Sequence, residues 1–120
     1  PYGDLDRIEG GSVKGLRVLV IEDHISTGLS CLDAIKTLRE EGAIVTDCVS
    51  ITNFDMTETK ALFEEVGVKT YRMIEFKKIV NKAVEMGVID EALQATIEEW
   101  LKTPWTWAAR RGLIATSREN

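Results

Sequence analysis

The residues best placed to do chemistry lie in the stretch RVLVIEDHISTGLS, from Arg17 to Ser30. Glu22 and Asp23 are adjacent carboxylates at the end of an apolar run, and Ser26, Thr27, Gly28 and Ser30 follow soon after. Paired carboxylates can bind a cation, accept hydrogen bonds from sugar hydroxyls, or stabilise positive charge developing on a substrate. Small and hydroxyl-bearing residues do something different. They bring backbone N–H groups and side-chain O–H donors to one point, which is what an anion needs. Two readings follow: an acidic pocket for a metal and an incoming phosphoryl group, or a cradle for a phosphate that is already part of a substrate.

Either site needs a strand and a helix to hold it. Val18 to Ile21 are four consecutive apolar residues, the pattern of a strand covered on both faces. Leu32, Ile35 and Leu38, with Gly42 as a stop, have the three-to-four-residue spacing of one helix packed on a sheet. HISTGLS therefore joins the carboxyl end of a strand to a helix N-terminus. Ligands gather there in parallel α/β sheets, and unpaired helical N–H groups converge there.

The rest of the chain continues the alternation. Ala43 to Ile51 is a second strand, and DMTE (Asp55 to Glu58) reads as a capping box opening a short helix over Leu62, Phe63 and Val66, closed by Gly67. Val68 to Ile74 is a third strand. Phe76, Ile79, Val80, Ala83 and Val84 share one helical face up to Gly87. A last helix runs from an Asp90 cap through Leu93, Ile97, Trp100 and Leu101 to Pro104. PWTWAARRGLIATSREN is left as a tail, with Trp105 and Trp107 as anchors and Arg110 and Arg111 as solvated charges. Strand and helix signals in turn describe an α/β domain with a mostly parallel sheet. Its three strands leave sheet edges unpaired, a hazard for an isolated piece.

Composition narrows the function. The 120 residues, 44% hydrophobic and 29% charged, suffice for one compact domain with a core. A net charge of −5 argues against nucleic acid as a partner, so any anion must be held locally. Cys31 and Cys48 lack CxxC spacing and read as reduced core cysteines of a cytoplasmic protein. No apolar run approaches the roughly 20 residues of a membrane span, and no signal peptide opens the chain. The first residues, PYGDLDRIEGGSVKG, read as a loop already under way, so the expectation is a fragment whose first half lies elsewhere.

The acidic-pocket reading fails on its most necessary residue. A phosphoryl-receiver domain needs an aspartate ending a later strand and a lysine beyond it, and ALFEEVGVKTYRMIE offers only Glu64 and Glu65 on a helix. The cradle reading fits. Gly28 permits close approach of the backbone, Ser26, Thr27 and Ser30 supply hydroxyls, and the helix dipole adds about 0.3–1 kcal/mol for a negative charge. Glu22 and Asp23 would repel that phosphate unless a ribose lay between. With its 5-phosphate in the loop, a ribose would turn its 2- and 3-hydroxyls to the carboxylates, at ~1.5–3 kcal/mol per charge-assisted bond.

With those residues in place, RVLVIEDHISTGLSCLDAIKTLREEGAIV resembles the phosphoribosyl-diphosphate-binding signature of type I phosphoribosyltransferases. PYGDLDRIEGG resembles the latter part of the mobile loop of orotate phosphoribosyltransferases. SITNFDMTETKALFEEVGV and IEEWLKTPWTW resemble segments of a bacterial subgroup of the same family, so the likeness runs from Pro1 to Trp107. It implies a parallel-sheet type I phosphoribosyltransferase core lacking its N-terminal half. Residues 1–15 would end the mobile catalytic loop, 16–103 form the phosphoribosyl-diphosphate-binding core, and 104–120 make a C-terminal tail.

The implied reaction is orotate plus phosphoribosyl diphosphate to orotidine monophosphate plus pyrophosphate, a glycosyltransferase step of pyrimidine biosynthesis. Mg2+ would sit on the diphosphate and ribose hydroxyls rather than directly on the protein. Asp23, Glu22 and Tyr2 would be catalytic. Glu22, Asp23, His24, Ile25, Ser26, Thr27, Gly28, Leu29 and Ser30 would bind phosphoribosyl diphosphate, and Ser26 would also touch orotate. The family's mobile loop reaches over the active site of a partner subunit, so a homodimer is implied; the other half of the protein could be a separate chain, and the fragment alone would be inactive. The chain departs from the family pattern in three places: His24 replaces an aliphatic residue, Tyr2 replaces the commoner His, and the stretch Thr52, Asn53, Phe54 stands where many members have an Asp-Arg pair whose Arg meets the orotate carboxylate. A purine-type phosphoribosyltransferase and a noncatalytic module binding phosphoribosyl diphosphate or a nucleotide remain as alternatives.

Overall fold

The computed structural model describes residues 7–113, which fall into two compact units, one ending at Glu75 and the other beginning at Phe76. The first unit contains β1 (Arg17–Ile25), α1 (Leu29–Glu40), β2 (Ile44–Asn53), α2 (Thr57–Glu65) and β3 (Lys69–Glu75). The three strands form one parallel sheet in the order β1-β2-β3. Parallel neighbours need a crossover, and α1 and α2 supply the two, as the sequence alternation requires.

Packing explains which residues are buried. Val20 and Ile25 of β1, Val45 and Cys48 of β2, Cys31 and Ile35 of α1, and Phe63 of α2 form one core cluster. Register between β1 and β2 shifts at one irregularity between Arg17 and Leu19. That shift lets Val45 and Cys48 both join the core although their spacing is odd.

The expectation of a first strand covered on both faces is corrected. Ile21 is 73% exposed and Leu19 52%, and on the neighbouring strands Ile51, Tyr71 and Met73 are exposed as well. Side chains alternate across a strand, and the core formed by Cys31 and Ile35 of α1 and Phe63 of α2 takes in Val20 and Cys48, so the alternate residues face outward. The two faces should answer differently to truncation. Ile35→Ala, at a site 1% exposed, is expected to cost about 2–5 kcal/mol, and Ile21→Ala less than about 1 kcal/mol, in urea unfolding.

The capping box is also corrected. Helix α2 starts at Thr57 behind Met56, with no side-chain cap. Asp55, the expected cap, has φ +54, donates its N–H to Asn53 Oδ1 at 2.8 Å, and places its carboxylate 2.9 Å from Arg72 Nε on β3. An ion pair with a neighbouring strand holds the carboxylate that the helix would have used.

The second unit contains α3 (Phe76–Glu85), α4 (Glu91–Lys102) and α5 (Pro104–Arg110). Asp90 caps α4 as expected, accepting the Leu93 N–H at 2.7 Å. Pro104–Arg110, at the start of the tail, is helical, because a proline that ends one helix is well suited to the first position of the next. Arg110 hydrogen-bonds Thr103, while Arg111 pairs with Glu99 and lies 5.4 Å from the centre of the Trp107 ring; both arginines are exposed, as solvated charges are, and their partners are surface groups. That pairing holds the Glu99 carboxyl below its usual range. Among the described residues no helix is long and apolar enough to cross a membrane.

Candidate active site

Strand β1 carries the acidic pair farther than the apolar run suggested, since pairing with β2 continues through Ile25. Glu22 lies opposite Ser50 and is half-buried, whereas Asp23 is exposed. The pleat therefore sends the two carboxylates to opposite faces of the strand. Glu22 is on the side of Cys31 in α1, and Asp23 is on the open side, its Oδ1 accepting the His24 N–H at 2.7 Å.

His24 ties the carboxyl ends of β1 and β2 together. Its Nδ1 lies 2.5 Å from Thr52 Oγ1, and its ring meets Phe54 edge-on at 4.3 Å. Phe54 in turn donates its N–H to the Ile25 carbonyl at 3.1 Å. Ile25 is buried in the core, so only its backbone is available to a ligand.

After Ile25 the chain turns through half-buried Ser26 and Thr27 and buried Gly28 into α1, with Leu29 and Ser30 exposed. Gly28 is the N-cap of α1, with φ +81, and no side chain caps the helix. No acidic residue occupies its first turn. The N-terminal amides of α1 thus open onto the loop without a carboxylate or a side chain at the N-cap position to receive them. Leu29 N–H makes only a long contact, 3.4 Å, with Thr27 Oγ1.

Helix α2 supports this loop from beneath, a feature the sequence reading missed. The buried Thr59 hydroxyl lies 3.1 Å from the carbonyl oxygens of both Ser26 and Thr27. A Cβ at Gly28 would lie 2.8 Å from Phe63 Cε2 and 3.0 Å from Thr59 Cγ2. The available signal was the spacing of Thr59 and Phe63, which puts both on one helical face. Tyr2 lies outside the described residues.

Behind the loop, Cys31 and Cys48 are free, buried, and have their sulfurs 3.4 Å apart. The shared hydrogen bond with Cys48, together with burial, pushes the Cys31 thiol far above its usual range. A thiol that stays neutral in the folded chain but ionises in the unfolded chain stabilises fully below about pH 8.5, and that contribution is lost progressively as pH rises above it. Iodoacetamide at pH 8.5 is expected to leave both cysteines unlabelled in the native protein and to label both in guanidinium. Native labelling within minutes would show that the pair is open.

Among the described residues no group of three or more His, Cys, Asp and Glu side chains could hold a metal ion.

No protein-family model matches the chain. Against curated proteins, it is 36% identical over 106 residues to an orotate phosphoribosyltransferase of Coxiella burnetii, covering 88% of this chain and 51% of that protein. An orotate phosphoribosyltransferase of Bacillus anthracis is 35% identical over 103 residues, 86% of this chain and 49% of the relative. Over most of its length, this chain is similar to orotate phosphoribosyltransferases.

The chain spans about half the length of the orotate phosphoribosyltransferases it matches. Solved structures agree on the fold. A Leishmania donovani UMP synthase superposes with a TM-score of 0.70 at 28% identity, over 78% of this chain and 21% of that one. A phosphoribosyltransferase from Corynebacterium diphtheriae gives 0.52 at 38% identity, over 57% of this chain and 42% of its own. The parallel sheet with α1 following β1 is thus the expected phosphoribosyltransferase-type architecture.

Proposed function

We propose that this chain supplies the phosphoribosyl-binding part of an orotate phosphoribosyltransferase, which transfers phosphoribosyl from phosphoribosyl diphosphate to orotate and releases pyrophosphate. The observation that carries this reading is the uncapped N-terminus of α1, entered through left-handed Gly28 directly after the acidic end of β1. The 5-phosphate would rest against the backbone of Ser26 to Ser30 and their hydroxyls. Asp23 on the open side, and Glu22 beside α1, would accept hydrogen bonds from the ribose hydroxyls. As the bond from C1 to the diphosphate breaks and the bond from C1 to the orotate nitrogen forms, positive charge grows on the sugar ring, and both carboxylates favour it.

Ser26, half-buried at the turn, would reach the base, and Tyr2 would act from the mobile loop. Mg2+ bound to the diphosphate and ribose hydroxyls fits a site whose carboxylates are spread apart, and would neutralise the departing charge. A cytoplasmic homodimer completes the reading. A regulatory, noncatalytic variant draws support from Asn53, which is buried and occupied with the Asp55 N–H where many relatives carry the orotate-binding arginine. The assay that separates the two uses the intact protein rather than this chain alone, and follows orotate absorbance with saturating phosphoribosyl diphosphate and Mg2+. Loss of orotate matched by pyrophosphate release is expected, and no turnover would overturn the enzymatic reading.

A further inference from the structure

We propose that Thr59 of α2 is a positioning residue: by gripping the carbonyls of Ser26 and Thr27 from behind, it aims the N–H groups of Thr27 and Gly28 at a bound sugar phosphate. The inference rests on the phosphate-cradle reading above.

The peptide group is planar and trans, so a carbonyl and the N–H of the next residue point in opposite directions. Thr59 Oγ1 lies 3.1 Å from Ser26 O and 3.1 Å from Thr27 O, and one hydroxyl proton shared between them draws both carbonyls toward α2. The amides of Thr27 and Gly28 are thereby turned away from α2, toward the side where the α1 amides begin. A helical threonine commonly bends its hydroxyl back to the carbonyl one turn earlier. Thr59 instead reaches a loop 32 and 33 residues away in sequence.

The residue type fits both demands. Its hydroxyl holds the carbonyls, and its methyl, with the Phe63 ring, fills the space under Gly28 so that the loop cannot sink. At 2% exposure the hydroxyl is shielded from water, which would otherwise compete for the same carbonyls. The amides are oriented before ligand arrives, so binding does not have to order them.

The test uses ribose 5-phosphate as the probe, in calorimetric titrations of the wild-type protein, Thr59→Val and Thr59→Ser. Valine keeps the shape and removes the donor, and serine keeps the donor. Loss of two modest hydrogen bonds should weaken binding by about tenfold in Thr59→Val, whereas Thr59→Ser stays within about threefold of wild type. In the assay of transfer, Thr59→Val should raise KM for phosphoribosyl diphosphate with kcat little changed. Equal affinity in a folded Thr59→Val overturns the role of Thr59 while leaving the cradle intact, and failure of the wild-type protein to bind ribose 5-phosphate overturns the cradle itself.

Amide NMR of the wild-type protein covers the case in which Thr59→Val does not fold. The Thr27 and Gly28 N–H resonances should move downfield and saturate with ribose 5-phosphate. Saturation elsewhere with these two unmoved would overturn the proposal.

Discussion

Gly28→Ala is expected to abolish measurable ribose 5-phosphate binding and to destabilise the fold. A residue with a side chain at φ +81 meets left-handed strain of about 1–2 kcal/mol, and this one also meets a wall. The new Cβ would lie 2.8 Å from Phe63 Cε2 and 3.0 Å from Thr59 Cγ2, so the loop must lift or α2 must move. Either response turns the amides of the cradle. Gly67→Ala is the control, because Gly67 also has positive φ, +68, but a Cβ there meets nothing within 4 Å. It should lose stability and keep its affinity. Equal ribose 5-phosphate affinity in Gly28→Ala and wild type would mean that the loop does not bind the phosphate.

Asp23→Asn is expected to lower the rate of phosphoribosyl transfer by about a hundredfold or more, the usual cost of removing one group aimed at developing charge. Asparagine keeps the size and one acceptor oxygen, and removes only the negative charge. Asp23 is exposed on the open side of β1, so the substitution should leave unfolding in urea nearly unchanged. Glu22→Gln should cost less in rate, since Glu22 is half-buried on the other face beside Cys31. Comparable rates for Asp23→Asn and wild type would remove the acidic pair from the mechanism.

Much of this was legible in the sequence because the signals were local. The strand-loop-helix around RVLVIEDHISTGLS follows from an apolar run, a glycine and a helical repeat, and the Asp90 cap follows from one side chain and one turn. What was not legible depends on partners distant in the chain. Asp55 was assigned to a cap from its four-residue neighbourhood, but Arg72 on β3 holds its carboxylate. Ile21 reads as buried by type, but which face of a strand is covered depends on where the crossover helices lie. Thr59 and Phe63 carry no motif, and their importance emerges only when α2 is packed under a loop more than 30 residues earlier.

The opposite facing of Glu22 and Asp23 was legible in principle, since adjacent strand residues always diverge. It was hidden by placing the end of β1 at Ile21, whereas pairing continues through Ile25. A strand four residues longer turns two neighbours in sequence into two separate acceptors.

A crystal structure of the protein with ribose 5-phosphate bound tests the central claim most directly. The expected result is a phosphate against the backbone of Ser26 to Ser30, within hydrogen-bond distance of the Thr27 and Gly28 N–H groups, with a ribose hydroxyl at Asp23. A sugar phosphate bound elsewhere at full occupancy, with this loop empty, would contradict it.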